Sequence, residues 1–209
     1  MMAVHGMSET SLQGADVRGV TAADGSAKAR IERAALTLFA LNGVDGVTTR
    51  EIAAAAGVSE GLIYRHFSNK DGLALALFET IHARIYALVA AALDGAEDFN
   101  AAVQRVVAAY CKAADEDRVL FEYHITHMFR FGRTDTPGRP DPTTLIARRI
   151  EQAMKDGDCP RGDAEIKTAA ALGVVLQPAA HRMAGRFNIL MENRAASLAR
   201  AAHAALKEA

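Results

Sequence analysis

The tightest constraint on the fold lies in twenty residues, "TTREIAAAAGVSEGLIYRHF", from Thr48 to Phe67. Thr48 and Glu51 have the spacing of a capping box, which opens a helix by satisfying its first amides reciprocally. Gly57 ends that helix, because glycine takes the positive φ a tight turn needs. Ser59 stands where a second helix would be capped, and that helix runs to about Phe67. Ile52, Ala53 and Ala56 on the first helix and Val58 in the turn, with Ile63 and Phe67 as i,i+4 partners on the second helix, form one buried stripe if the two cross steeply. Glu60, Gly61, Leu62, Tyr64, Arg65 and His66 then lie off that stripe. A helix that only fills a core has no use for Arg65 and His66, and one that is only solvated has no use for Ile63 and Phe67. Two short helices with one packed side and one presented side fit a helix-turn-helix; an ordinary helical hairpin fits the same spacing.

The rest of the chain predicts helix as well. Residues 1 to 25 carry no apolar period and read as a flexible tail. Ser26 caps a helix whose apolar residues, Ile31, Ala34, Ala35, Leu38 and Phe39, run up to Asn42-Gly43. Ser68 and Asp71 suggest another capping box, opening a long helix to about Leu93. Further helices are expected over Phe99 to Ala114, Arg118 to Phe131, Thr143 to Lys155, Ala164 to Met183 with a bend at Pro178, and Phe187 to Lys207. The loops "GRTDTPGRPDP" and "DGDCPRGD" separate three of them. The expected fold class is all-α, about nine helices. Residues 26–72 form the helix-turn-helix domain, extending along a linking helix to about 93, and residues 94–209 form a second helical domain.

Composition narrows the partners. With 209 residues, half of them hydrophobic, the chain can bury a sizeable core. Its formal net charge of −1 means that a polyanion would have to meet a local basic patch and not bulk charge. The two cysteines, Cys111 and Cys159, have no metal-ligand spacing, and no apolar leader precedes them. No hydrophobic run is expected to span a membrane. These features point to a cytoplasmic chain with reduced thiols. No catalytic residues, metal or cofactor are implied.

"GLIYRHFSNKDGL", with the preceding "VTTREIAAAAGVSEG" and the Tyr64–Phe67–Lys70 spacing, resembles the DNA-binding domain of the tetracycline-repressor (TetR) family of bacterial regulators. The resemblance runs from Ser26 to about Ile81; "ALGVVLQPAAHRMAGR" is similar more weakly. It implies that Thr49 and Arg50 meet a phosphate and a base edge or groove wall. Ser59 caps the recognition helix at the interface, and Glu60, Gly61 and Leu62 would face bases. Tyr64 and His66 would hold phosphates, Arg65 a base or phosphate, and Lys70 would clamp a phosphate. Leu62 is apolar where such residues often hydrogen-bond, so contact with a thymine methyl is expected. Glu60 is an anion facing a polyanion; it could accept from a cytosine amine, repel non-cognate sites, or serve only its helix N-terminus.

The resemblance further implies a homodimer on a palindromic double-stranded operator, acting as a repressor, with a C-terminal domain for ligand and dimer contact. Two stripes are candidates for the dimer face: Leu172, Val175, Leu176, Ala179 and Met183, and then Phe187, Leu190, Met191, Leu198 and Ala202. An unidentified, small, partly apolar effector is placed among Tyr110, Cys111, Phe121, His124, His127, Met128 and Phe131, because pockets are mostly apolar with a few placed polar groups. Glu122, Thr126 and Arg130 are expected to face solvent. Two other readings stand beside this one. One is a constitutive DNA-binding regulator or activator whose C-terminal half only dimerises. The other is a helical-bundle enzyme, which lacks a convergent acid–base pair.

Overall fold

The computed structural model describes residues 25–116, 118–132 and 140–208. The expected tail, but for Gly25, and most of the loop 132–142 lie outside the described residues. The nine α-helices among the described residues follow the expected order, the last of them starting later than the apolar period places it: α1 (Ala27–Asn42), α2 (Thr49–Ala56), α3 (Glu60–His66), α4 (Lys70–Asp94), α5 (Phe99–Glu116), α6 (Arg118–Phe131), α7 (Pro142–Asp156), α8 (Ala164–Met183) and α9 (Ala195–Glu208). The fold is all-α. The chain divides into two compact units. One comprises the described residues up to Thr80 together with α6; the other runs from Ile81 to Glu116 and resumes at Gly132.

In the first unit the caps explain where helices begin. Ser26 Oγ accepts from Ala29 N–H at 3.1 Å, and the Thr48–Glu51 capping box is complete. Ser59, in contrast, makes no side-chain cap bond to α3. The expected Ser68–Asp71 box also does not form. Asn69 caps α4 instead, accepting from Gly72 N–H at 2.8 Å, and Asp71 is drawn to Arg130 at 2.8 Å. Ile31, Leu36, Phe39, Ile52, Ile63, Leu73 and Phe78 form a core with almost no exposure.

Helix α6 packs on this core. Tyr123 donates to Ala74 O at 2.9 Å from a fully buried position. His124 stacks on Phe78 with ring centroids 5.2 Å apart. His127 lies 4.1 Å from Tyr123 and 5.9 Å from Phe131, ring to ring. Glu122 does not face solvent as expected: it is buried and held by Arg118 at 2.7 Å, which lets a carboxylate leave water.

In the second unit α5, α8 and α9 pack together, and α7 packs against α8. The expected helix from Phe187 is not continuous. Gly185, at φ +70°, turns the chain after α8, and helix resumes with a 3-10 turn at Glu192–Arg194. Asp115 explains the interruption. Its carboxylate accepts from Met191 N–H at 3.1 Å and Glu192 N–H at 2.8 Å while pairing with Arg182. Pro178 lies within an uninterrupted α8. Contrary to expectation, one segment, α4, is long and apolar enough to cross a membrane. Leu73, Leu77, Phe78, Ile81, Ile85 and Val89 are buried against protein, which accounts for its hydropathy in a core helix.

Candidate functional site

The turn between α2 and α3 is built by hydrogen bonds that few sequences satisfy. Gly57 sits at φ 64°, ψ 42°, and its N–H reaches Ala54 O at 3.2 Å. Val58 N–H reaches Ala53 O at 3.0 Å, completing the paired bonds of a Schellman end. Ile52, Ala53, Ala56, Ile63 and Phe67 all point inward and are buried.

The opposite side is presented. Arg50, Ser59, Gly61, Tyr64, Arg65 and His66 are exposed, while Thr49, Glu60, Leu62 and Lys70 are half-buried. Tyr64 keeps 52 % of its surface open. A Cβ built at Gly61 would meet nothing within 4 Å, so the start of α3 offers bare backbone to whatever approaches it. The helix N-terminus and its amides favour an anion there. The cations among these residues are Arg50 on α2, Arg65 in the last turn of α3 and Lys70 at the start of α4. The ten candidate residues therefore share one region of the first unit.

Four contacts within this region, made by Thr49 and Lys70, had no signal in the sequence. Thr49 Oγ1 donates to Glu60 Oε1 and lies 3.3 Å from the Tyr64 hydroxyl, so the two helices are tied on their open side. Lys70 Nζ donates to Val47 O at 2.7 Å and Asp45 O at 3.4 Å, anchoring the start of α4 to the α1–α2 loop.

The residues expected to hold an effector divide between the two units. Phe121, His124, His127, Met128 and Phe131 belong to the first unit, and Tyr110 and Cys111 to the second. Burial holds His127 below the usual imidazole range, and Nδ1 donates to Tyr123 O at 2.9 Å. Burial pushes the Cys111 thiol up to about 11, with Asp115 adding to it. No group of three or more His, Cys, Asp or Glu among the described residues is arranged to hold a metal. The second unit does hold a half-open cavity of about 50 Å³, lined by residues such as Phe99, Val106, Tyr110, Ile146, Arg149 and Leu172. Of the seven effector candidates only Tyr110 reaches it. The signal that could have found it is the Ile146–Arg149–Ile150 pattern on α7.

Among the dimer candidates, Val175, Ala179, Met191 and Ala202 are buried within the single chain. Leu172, Leu176, Met183, Phe187 and Leu198 are half-buried, and Leu190 keeps 57 % exposure. Phe187, Leu190 and Met191 lie on the non-helical segment before α9.

Residues 31–77 match the family described as "Bacterial regulatory proteins, tetR family". An HTH-type transcriptional regulator of Mycobacterium bovis, Mb2274c, is 30 % identical over 137 residues, which span 65 % of this chain and 70 % of that protein. Among solved structures, the fatty acid degradation regulator FadR from Bacillus halodurans superposes with a TM-score of 0.74 at 18 % identity, over 87 % of this chain and 97 % of its own. FadR from Bacillus subtilis, solved in complex with stearoyl-CoA, gives 0.69 at 15 % identity, over 84 % and 97 %. The structural likenesses show the fold alone, whereas the relative in sequence reaches the regulator itself. With its capped α2, left-handed Gly57 and presented α3, the chain belongs to the tetR family of bacterial regulatory proteins.

Proposed function

We propose that this DNA-binding transcriptional regulator is a cytoplasmic, homodimeric repressor that occupies a palindromic operator and is released by a small, partly apolar effector. The observation that carries the reading is the presented side of α3, where Gly61, Leu62, Tyr64, Arg65 and His66 stand on a helix whose Ile63 is wholly buried. Buried residues fix the register of that helix, so its outward side chains are delivered as a rigid set. Gly61 and Leu62 approach bases, Arg50, Tyr64, Arg65 and His66 meet backbone or groove, and Thr49 and Lys70 exchange an internal bond for a phosphate. A single module of this size buries too little DNA surface for tight specific binding, and two copies on half-sites about 34–36 Å apart supply the rest. The complex of Bacillus subtilis FadR with stearoyl-CoA supports an effector of apolar character.

The test is selection of bound duplexes from a genomic pool by the full chain, followed by titration of affinity against salt. A palindromic site, occupied by two copies, with log affinity falling steeply against log salt is the expected result. Arg65→Ala and Lys70→Ala should each reduce that slope by about one. Selection that enriches no common site would sink the reading, and operator binding that no small molecule relieves would favour a constitutive regulator.

A further inference from the structure

The half-open cavity of the second unit adjoins a more open groove, and the two share Leu93 and Arg149. Inside the cavity every wall is aliphatic or aromatic except at Tyr110 and Arg149. Burial pushes the Tyr110 phenol far up, and the nearby Asp141 adds to that, so the phenol stays neutral. The cavity wall itself is apolar, and Arg149 is the charged residue that its lining shares with the groove. Its guanidinium lies 5.2 Å from the Phe99 ring centroid, a cation–π contact that leaves its hydrogen-bond donors uncommitted. Among the described residues no carboxylate pairs with Arg149 or with Arg148 beside it. The groove beyond is lined by Arg148, Gln152 and Asp94, and Gln152 is already turned to Asp156 at 2.8 Å.

We propose that these two adjoining spaces bind a straight-chain organic anion, with the aliphatic chain in the cavity and the anionic head on Arg149 at its mouth. Size selects the chain. A dry apolar cavity of about 150 Å³ takes up a benzene ring, whereas about 50 Å³ is available here. That volume accepts the end of an unbranched chain and excludes a ring. Each buried methylene raises affinity about fourfold. Charge selects the head: a fork of guanidinium donors suits a carboxylate or a phosphate and gains nothing from a neutral hydroxyl. The carboxylate of a free acid and the phosphates of an acyl thioester share this chemistry. The inference deepens the effector reading and rests on it for its regulatory meaning, but the site itself can be tested alone.

The test is calorimetric titration of the full-length protein with octanoate, octan-1-ol, cyclohexanecarboxylate and octanoyl-CoA. Octanoate, octanoyl-CoA or both should bind at least tenfold more tightly than octan-1-ol and cyclohexanecarboxylate. Preference for octanoate or for octanoyl-CoA tells whether the head is a carboxylate or a phosphate. Arg149→Gln should bring the preferred anion down to the octan-1-ol level, and Ala171→Leu, which fills the cavity from α8, should weaken every straight-chain probe; thermal unfolding checks that both variants are folded. Equal binding of octan-1-ol, equal binding of cyclohexanecarboxylate, a preference that survives Arg149→Gln, or no binding at all overturns the proposal. Operator release is scored separately by fluorescence anisotropy. An anion that binds at Arg149 without releasing DNA overturns the effector reading and leaves the site standing. Release by an unrelated molecule, with none of these probes bound, overturns the site alone.

Discussion

Glu60 puts a carboxylate on the presented side of the recognition helix, and Thr49 holds it there. The hydroxyl-to-carboxylate bond assigns Glu60 a task that the helix N-terminus alone would not require: it ties α3 to α2. The negative charge also opposes every phosphate that approaches. Two unit charges about 7 Å apart in water interact by about 0.6 kcal/mol, a factor of about three in affinity. Glu60→Ala is therefore expected to bind random-sequence duplex about threefold more tightly at low salt, with the gain shrinking as salt is raised. Anisotropy at two salt concentrations would show it, and unchanged or weaker binding to random duplex would remove the repulsive role. The repulsion was legible in the sequence as one of three roles for Glu60, but the tie was not, because residues eleven apart gave no local pattern that pairs Thr49 with Glu60. Ile63 and Phe67, by contrast, were readable from spacing alone, since burial of an i,i+4 pair leaves its mark within one helix.

At the scale of elements, α6 and the segment before α9 show what packing adds. In α6 the His127 ring lies between Tyr123 and Phe131 as a neutral imidazole, with its folded pKa lowered by burial. A base whose folded pKa lies below its unfolded value binds fewer protons when folded. Its contribution is fully present above the unfolded imidazole value of about 6.5 and is lost as pH falls from there through the folded pKa. The melting temperature should accordingly fall between about pH 7 and pH 5, and His127→Phe, which keeps the stack and removes the titration, should flatten that part of the profile. A variant whose profile matches the wild type would show that His127 is not the group responsible. A second loss, below the usual carboxylate range near 3.9, belongs to Asp141, which His82 and the α7 cap hold well below it.

Before α9 the carboxylate of Asp115 receives two backbone amides and a buried guanidinium. Asp115→Ala leaves Arg182 charged, buried and unpaired, at a cost of about 3–5 kcal/mol. Arg182→Met should cost less, because Asp115 keeps both amide donors; urea unfolding of the two variants checks the order. The sequence showed an apolar stripe through Phe187, Leu190 and Met191 and so suggested helix. Asp115, more than seventy residues upstream, takes the amides that a helix would have used.

For the whole molecule the proposed homodimer needs a surface for the second copy. The stripes legible in the sequence were apolar ones, and apolar periodicity cannot tell an intrachain face from an interchain face. Val175, Ala179 and Ala202 turn out to face the chain's own core. The outward side of α8 carries Ile166, Ala169, Gly173 and Gln177 at helical spacing, and Ala201 and Ala204 lie outward on α9. Ile166 keeps 60 % of its surface exposed on that side. Gly173 distinguishes the cases. A Cβ there meets nothing within 4 Å in one chain, so a single copy tolerates any side chain. Removing glycine from a helix interior even stabilises it, by about 0.8–1.0 kcal/mol on replacement with alanine. Small residues matter at that place only if another helix backbone approaches it. Gly173→Ala should therefore leave the fold intact, and Gly173→Arg should leave each chain helical while the dimer separates and operator affinity falls by at least tenfold. Sedimentation velocity at micromolar protein, with circular dichroism to confirm helix content, reads both effects. A Gly173→Arg protein that sediments as a dimer and holds its operator like the wild type would move the contact to another face.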